Sequence, residues 1–322
     1  MQRESFSRAR LACLIVAAMM ACALSSSCSD SDRVQVDLRK KIDINQAEKQ
    51  RPEATLNVAI ASMISPNETI GYYQALLEYI AAGIGRKINL VQRKTYAEVN
   101  GLLANGGIDL AFICSGPYAA DRERNHFEAL AVPQIHQKNV YRAYLVTSLA
   151  SPVNRFEDLR GKVFAFSDPD SNAGCFVPRF LLAQRGERPQ SFFGKTIFTY
   201  SHDNSILAVS RALVDGAFVH EHIWEYYSAK NPDVTSKVRI VYISEPYGNP
   251  PLVASAFMPA DLKHRIRELL FRMHDDQRGA EVLRELLIDR FIPLDERLYD
   301  PIRRMLAQTS LSEEGHVAAS QP

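Results

Sequence analysis

Three short segments bring hydroxyl, amide and small residues to points where a strand hands over to a helix. They are Ser115-Gly116-Pro117-Tyr118, Asp170-Ser171-Asn172-Ala173-Gly174 and Ser201-His202-Asp203-Asn204-Ser205. A helix start leaves its first backbone N–H groups without carbonyl partners and carries the positive end of the helix dipole. Placed beside a hydroxyl or an imidazole, it binds an anion. One such start is usually no more than an N-cap, but three of them after successive strands point to a shared site. Pro117, read as the first helical residue, supports a helix start there. Two other constellations bear on chemistry. Cys175 at a helix start, with its thiol acidity raised by the dipole, and His202 form a candidate nucleophile pair, although no third orienting group accompanies them. His220-Glu221-His222 puts two imidazoles on one side of an extended segment, but no third ligand stands at a metal-binding spacing. Neither a metal nor a cofactor is implied.

The elements that must position these residues alternate. Residues 56–61, 87–91 and 109–113 are apolar and strand-like, with amphipathic helical stretches between them that are closed by Gly83, Gly85 and Asn105-Gly106-Gly107. Thr95-Tyr96-Ala97-Glu98 has the form of a capping box. A long strand at 140–147 precedes a second alternating unit, with strands at 163–166, 196–200, 217–219 and 238–243 and helices at 176–185, 204–214 and 223–230. After Pro250-Pro251 come a strand at 252–257 and helical segments at 262–273, 280–287 and 296–306. Short connections between alternating strands and helices make parallel sheets covered by helices. Two such units, the second inserted before a C-terminal return, predict an α/β protein of two lobes joined by two crossing strands. Ligands of such folds bind in the crevice at the C-terminal ends of the strands.

The predicted boundaries are a signal peptide at 1–27, a flexible tether at 28–54, lobe 1 at 55–143, lobe 2 at 144–241, the return of lobe 1 with C-terminal helices at 242–308, and a disordered tail at 309–322. Arg3, Arg8 and Arg10 precede an apolar run at 11–24 that is too short to span a bilayer, and Ser25-Ser26-Ser27-Cys28 follows it. Small residues before a cysteine resemble a bacterial lipobox, which makes Cys28 the expected lipidated N-terminus and Cys22 the alternative. The leucine preferred three residues before that cysteine is replaced here by Ser25. Lys+Arg 38 against Asp+Glu 37 excludes a dedicated nucleic-acid binder, and removing residues 1–27 leaves a formal charge of −1. Two cysteines besides Cys28, Cys114 and Cys175, then remain in an exported chain; a disulfide between them would lock the lobes, so two free thiols are expected.

The stretch from Ser167 to Pro178, Ser-Asp-Pro-Asp-Ser-Asn-Ala-Gly-Cys-Phe-Val-Pro, resembles a segment of the phosphate/phosphite/phosphonate-binding proteins of ABC importers. Matches to Ile108–Phe112, His202–Val209, Val214–Ala217 and Ser244–Pro251 follow in that family's order, so the resemblance covers roughly residues 55–290. It implies a type II periplasmic binding protein fold that captures a small phosphorus oxyanion by lobe closure. The expected partners are that oxyanion, a permease–ATPase complex and the membrane through a lipid anchor, with the chain a monomer. Carried over by position, Ser171, Asn172 and Ala173 would hold the oxyanion at a helix start and His202 would donate to it. Tyr96 would close over the ligand, and Ser115 and Gly116 would meet it from lobe 1. The family's hydroxyl pair after Ser171 is here Asn172-Ala173. Where members that take aminoalkylphosphonates place acidic groups, this chain has the His220-Glu221-His222 stretch and Asn249, which disfavours an amine-bearing ligand unless Glu221 faces the cleft. Two other roles fit the same sequence: a sensor docking on a membrane kinase or chemoreceptor, and a thiol enzyme using Cys175 and His202.

Overall fold

The computed structural model describes residues 55–319. Cys28, Cys22 and the expected signal and tether lie outside the described residues, as do 320–322. The first unit runs β1 (Thr55–Ile60), α1 (Pro66–Ile84), β2 (Lys87–Val91), α2 (Tyr96–Ala104), β3 (Leu110–Phe112), α3 (Ser115–Asn125) and β4 (Glu128–Gln134). β5 (Val140–Tyr141) leads into the second unit: β6 (Ala143–Ser148), β7 (Val163–Phe166), α4 (Val177–Ala183), α5 (Pro189–Phe192), β8 (Lys195–Phe198), α6 (His202–Ser210), β9 (Gly216–His220), α7 (Glu221–Lys230), α8 (Pro232–Thr235) and β10 (Val238–Ile243). The chain returns through β11 (Tyr247–Gly248), β12 (Leu252–Ala254), α9 (Ala260–Phe271), α10 (Gln277–Glu285), β13 (Arg290–Ile292) and α11 (Asp300–Ala319).

These strands make two mixed sheets. The lobe 1 sheet has the order β13-β4-β12-β3-β1-β2, and the lobe 2 sheet has the order β10-β6-β9-β7-β8. β1 is parallel to β2 and β3, and β7 is parallel to β8 and β9. The central strands are buried along their length, as helices on both faces require, so β3 reads Leu-Ala-Phe without alternation. The two connections between lobes pair with each other: β5 and β11 form a two-stranded antiparallel ribbon through Tyr141–Tyr247 and Val140–Gly248. The strands expected from sequence at 140–147 and 238–243 mostly belong to the lobe 2 sheet as β6 and β10. The crossing itself is confined to the short ribbon.

Three sequence readings change. β4 and β13 pair with each other at the lobe 1 sheet edge, where the sequence suggested no strand. Pro117 is the third residue of α3, after Cys114 at the N-cap and Ser115 and Gly116 in the first turn. α11, which packs on α3 of lobe 1 and α4 of lobe 2, runs to Ala319, past the point near 309 where a disordered tail was expected.

Lobe 2 is built around aromatic rings. Phe164 is fully buried, stacks on Phe193 at 4.4 Å between centroids and meets Phe166 edge-on at 5.0 Å. Truncating so large a buried ring removes both its transfer free energy and its contacts. Phe164→Ala should lower stability by about 3–5 kcal/mol in a denaturant titration. A loss below about 1 kcal/mol would mean that lobe 2 does not depend on this nest.

Candidate ligand site between the lobes

Each segment singled out by its chemistry lies at the C-terminal end of a parallel strand. Ser115 follows β3, Ser171 and Asn172 follow β7, His202 follows β8, and His220 ends β9. Tyr96 opens α2 after β2, and its position is fixed by a complete capping box. The Glu98 N–H donates to Thr95 Oγ1 at 3.3 Å, and the Thr95 N–H donates to Glu98 at 2.9 Å. After β7 the chain makes a π-helical turn, Asn172–Phe176, whose N-cap Ser171 accepts the Gly174 N–H at 3.1 Å. π-turns concentrate at functional sites because they widen the helix start. Gly174 is required here, since a Cβ on it would stand 1.8 Å from Ser167 Oγ.

The lobes meet directly over this region. The His202 N–H donates to the Met63 carbonyl at 3.0 Å, Ser65 N–H to Asp203 at 2.9 Å, and Tyr96 N–H to Asp168 at 3.1 Å. A Cβ on Gly116 of lobe 1 would lie 2.6 Å from the Asp170 carbonyl and 3.1 Å from the Asn172 nitrogen of lobe 2. The Cys114 thiol sits against the Asn172 and Gly116 N–H groups, and burial pushes its pKa up to about 11. Away from the centre, Tyr72 meets Tyr226 edge-on at 4.1 Å and the Lys94 ammonium lies 4.3 Å from the Tyr200 ring centroid. This is a closed arrangement.

Enclosed between the lobes is a group of polar atoms with no hydrogen-bond partner among the described residues: Tyr96 hydroxyl, Ser167 Oγ, Asn172 Oδ1, both ring nitrogens of His202 and His220 Nε2. Of these, the Asn172, His220 and His202 side chains are linked by proximity through Tyr141. Asn172 Nδ2 donates to the Tyr141 hydroxyl at 2.8 Å. The Tyr141 ring stacks on His220 at 3.7 Å, and the His220 and His202 centroids are 6.0 Å apart. Each buried polar group left unpaired costs about 1–3 kcal/mol, so a cluster of them implies a missing partner. His220 Nδ1 accepts the His222 N–H at 3.2 Å, so in the neutral ring the proton must sit on Nε2. That nitrogen is then a buried donor. No Lys or Arg side chain is among these groups.

The residues expected from sequence are partly brought together. Tyr96, Ser171, Asn172, Ala173 and His202 are buried around the cluster, and Gly116 abuts it. Ser115 is buried too, but its hydroxyl donates to the Gly248 carbonyl of the ribbon at 2.7 Å. His222 and Asn249 pair beside the cluster: the His222 ring lies 5.3 Å from that of His220, His222 Nε2 is 3.1 Å from Asn249 Oδ1, and Asn249 Nδ2 donates to the Pro133 carbonyl at 2.9 Å. Glu221 does not face the cleft, because its two oxygens accept the Arg142 N–H at 2.7 Å and the Tyr144 hydroxyl at 2.6 Å. The sequence reading weighed His220 only as part of the His220-Glu221-His222 stretch and passed over Tyr141 and Ser167; their place at or beside strand ends was the available signal. Cys114 and Cys175 are both buried, and neither forms a disulfide. Because both His202 nitrogens lack partners, no hydrogen bond joins His202 to Cys175, and the pair proposed for a thiol enzyme is not made.

Burial holds the imidazole of His202 neutral, pushing its pKa from 6.5 down to about 3, and it lowers that of His220 well below the usual range. Between those two pH values the unfolded chain binds the proton and the folded chain does not, so stability is full above the ordinary value and falls as pH drops. Between pH 6.5 and 5, His202 alone should cost about 2 kcal/mol. Melting of the ligand-free protein across that window checks this, and His202→Asn should flatten the dependence; an unchanged slope contradicts it. Gly116→Ala should hold the lobes apart, giving a larger radius of gyration in small-angle scattering than the parent with little change in melting temperature. An identical radius would mean the lobes do not need this close approach.

Comparison with known proteins places the chain in a family. The profile of a family described as "ABC transporter, phosphonate, periplasmic substrate-binding protein" matches residues 58–299. The phosphonates-binding periplasmic protein of Escherichia coli is 22% identical over 268 residues, spanning 81% of this chain and 79% of that protein. Among solved structures, a binding protein component of an ABC phosphonate transporter from Pseudomonas aeruginosa superposes with a TM-score of 0.77 at 20% identity, covering 81% of this chain and 88% of that one. PhnD1 from Prochlorococcus marinus, solved in complex with methylphosphonate, gives a TM-score of 0.70 at 17% identity, with 78% and 97% covered. The fold is that of the two-lobed periplasmic binding proteins, and the chain belongs to the family of phosphonate periplasmic substrate-binding proteins of ABC transporters.

Proposed function

We propose that this chain captures a phosphorus oxyanion between its lobes and delivers it, chemically unchanged, to an ABC permease and its ATPase. The observation that carries this reading is the enclosed set of unpaired groups on Tyr96, Ser167, His202 and His220. Their geometry suits a tetrahedral oxyanion approached from several sides. The helix start at Ser171, Asn172 and Ala173 adds backbone N–H groups and a dipole of the right sign. Tyr96 comes from lobe 1, and Ser167, His202 and His220 from lobe 2, so a ligand touching all of them is held fully only when the lobes close. Differential contact of this kind is what allows a ligand to shift a two-state opening equilibrium. Cys28 would carry the lipid that tethers the domain to the outer face of the membrane through residues 29–54. No helix among the described residues is long and apolar enough to cross a membrane itself.

Thermal melting with phosphate, phosphite, methylphosphonate, 2-aminoethylphosphonate and sulfate tests the reading. A true ligand raises stability with concentration, by about 2.7 kcal/mol at a hundred times its Kd. No response to any phosphorus oxyanion would overturn the reading. Tyr96→Phe offers a sharper check, since it removes one unpaired hydroxyl and keeps the ring. Ligand-free stability should hold or rise by up to about 1 kcal/mol, while oxyanion affinity falls about tenfold. Loss of stability without loss of affinity would make the hydroxyl structural.

A further inference from the structure

A cavity of about 390 Å³ lies at the seam between the lobes, and both lobes line it. Lobe 1 contributes Arg93 and Lys94 from the connection between β2 and α2, and lobe 2 contributes Thr199 and Tyr200 from the connection between β8 and α6. No carboxylate lines this cavity. The Lys94 ammonium, exposed on lobe 1, lies instead over the Tyr200 ring, 4.3 Å from its centroid. That is within the range at which the face of an aromatic ring holds a cation.

Each partner is fixed by its own lobe. Ahead of Lys94, the Ser62 hydroxyl donates to the Arg93 carbonyl and Gln92 Nε2 donates to the Pro66 carbonyl at 3.1 Å; the Thr95–Glu98 capping box follows it. Tyr200 has a φ of 60°, in the left-handed region that a bulky side chain rarely takes. Its N–H donates to the Ser167 carbonyl at 2.6 Å, and Asn204 Nδ2 donates to the Thr199 carbonyl at 3.2 Å, so the turn is pinned from both sides. A backbone outlier of this kind persists only where its surroundings impose it, and such outliers gather at functional sites. Here it sets the ring under a cation of the opposite lobe.

The pair adjoins the ligand site without entering it. Lys94 stands two residues before Tyr96 and Tyr200 two residues before His202, yet neither belongs to the unpaired cluster. Their contact crosses the lobe boundary, so it exists only when the lobes are closed. Such a contact raises the closed population, and an enclosed ligand leaves only when the lobes part.

We infer that Lys94 and Tyr200 form a cation–π latch that sets how long a captured ligand stays. The inference rests on the oxyanion reading above and adds control of release to it. Stopped-flow kinetics of the full chain with methylphosphonate and with inorganic phosphate, followed by intrinsic fluorescence, test it. Lys94→Gln and Tyr200→Leu should each speed release about two- to fivefold and leave the association rate within about twofold. The double variant should release no faster than the quicker single variant, because both changes remove one interaction. Lys94→Arg and Tyr200→Phe keep a cation on an aromatic face and should release at the parent rate. Unchanged release in Lys94→Gln or in Tyr200→Leu overturns the latch. An effect confined to the association rate also overturns it, and would make Lys94 a steering charge. Either result leaves the oxyanion reading intact, whereas failure of the parent to bind either probe overturns both.

Discussion

Everything in this structure turns on hydrogen-bond donors that the protein buries and does not pair. Tyr96, His202 and His220 are buried between two lobes, where each unanswered polar atom weakens the closed form. Elsewhere the cleft is well answered. The Met63 carbonyl takes the His202 N–H, Asp203 takes that of Ser65, and Asp168 takes those of Tyr96 and Asp170. Backbone groups are thus satisfied across the lobe boundary while several side-chain groups in the middle are left for a partner. Such a protein closes comfortably only around something that accepts hydrogen bonds from several directions.

The absence of Lys and Arg from the donor cluster connects the site to the whole chain's near-neutral balance. Helix starts and neutral imidazole, hydroxyl and phenol groups can hold an anion without adding formal charge. The neutrality of the imidazoles is itself a product of burial, since His202 is pushed far below its ordinary pKa. Net charge therefore says little about the charge of the ligand, and excludes only partners that need an extended basic surface.

Local features were legible in the sequence and long-range ones were not. The Thr95–Glu98 capping box, the helix starts at Ser115, Ser171 and Ser201 and the two alternating units depend on neighbouring residues, and the chain adopts them. The π-turn at Asn172–Phe176 was invisible because it depends on Gly174 packing against Ser167. His222 was favoured over His220 because the two differ only in what they face. Stacking on Tyr141, distant in sequence, turns one ring towards the cluster, and Asn249 claims the other. β4 was missed because Pro133 interrupts its pattern, and it survives as a strand by pairing with β12 and β13. The C-terminal helix packs on both lobes, a contact that no local pattern encodes.

The central claim is that the unpaired imidazoles meet an oxyanion directly, and nuclear magnetic resonance of the protein with 15N-labelled histidine observes that contact. On adding methylphosphonate to the full chain, the side-chain N–H protons of His202 and His220 should move downfield and become protected from exchange, as imidazole N–H groups donating to an anion do. Disappearance of the new signals in His202→Asn and His220→Asn, each in turn, would assign them. Histidine resonances that stay unchanged at saturating ligand would contradict the account.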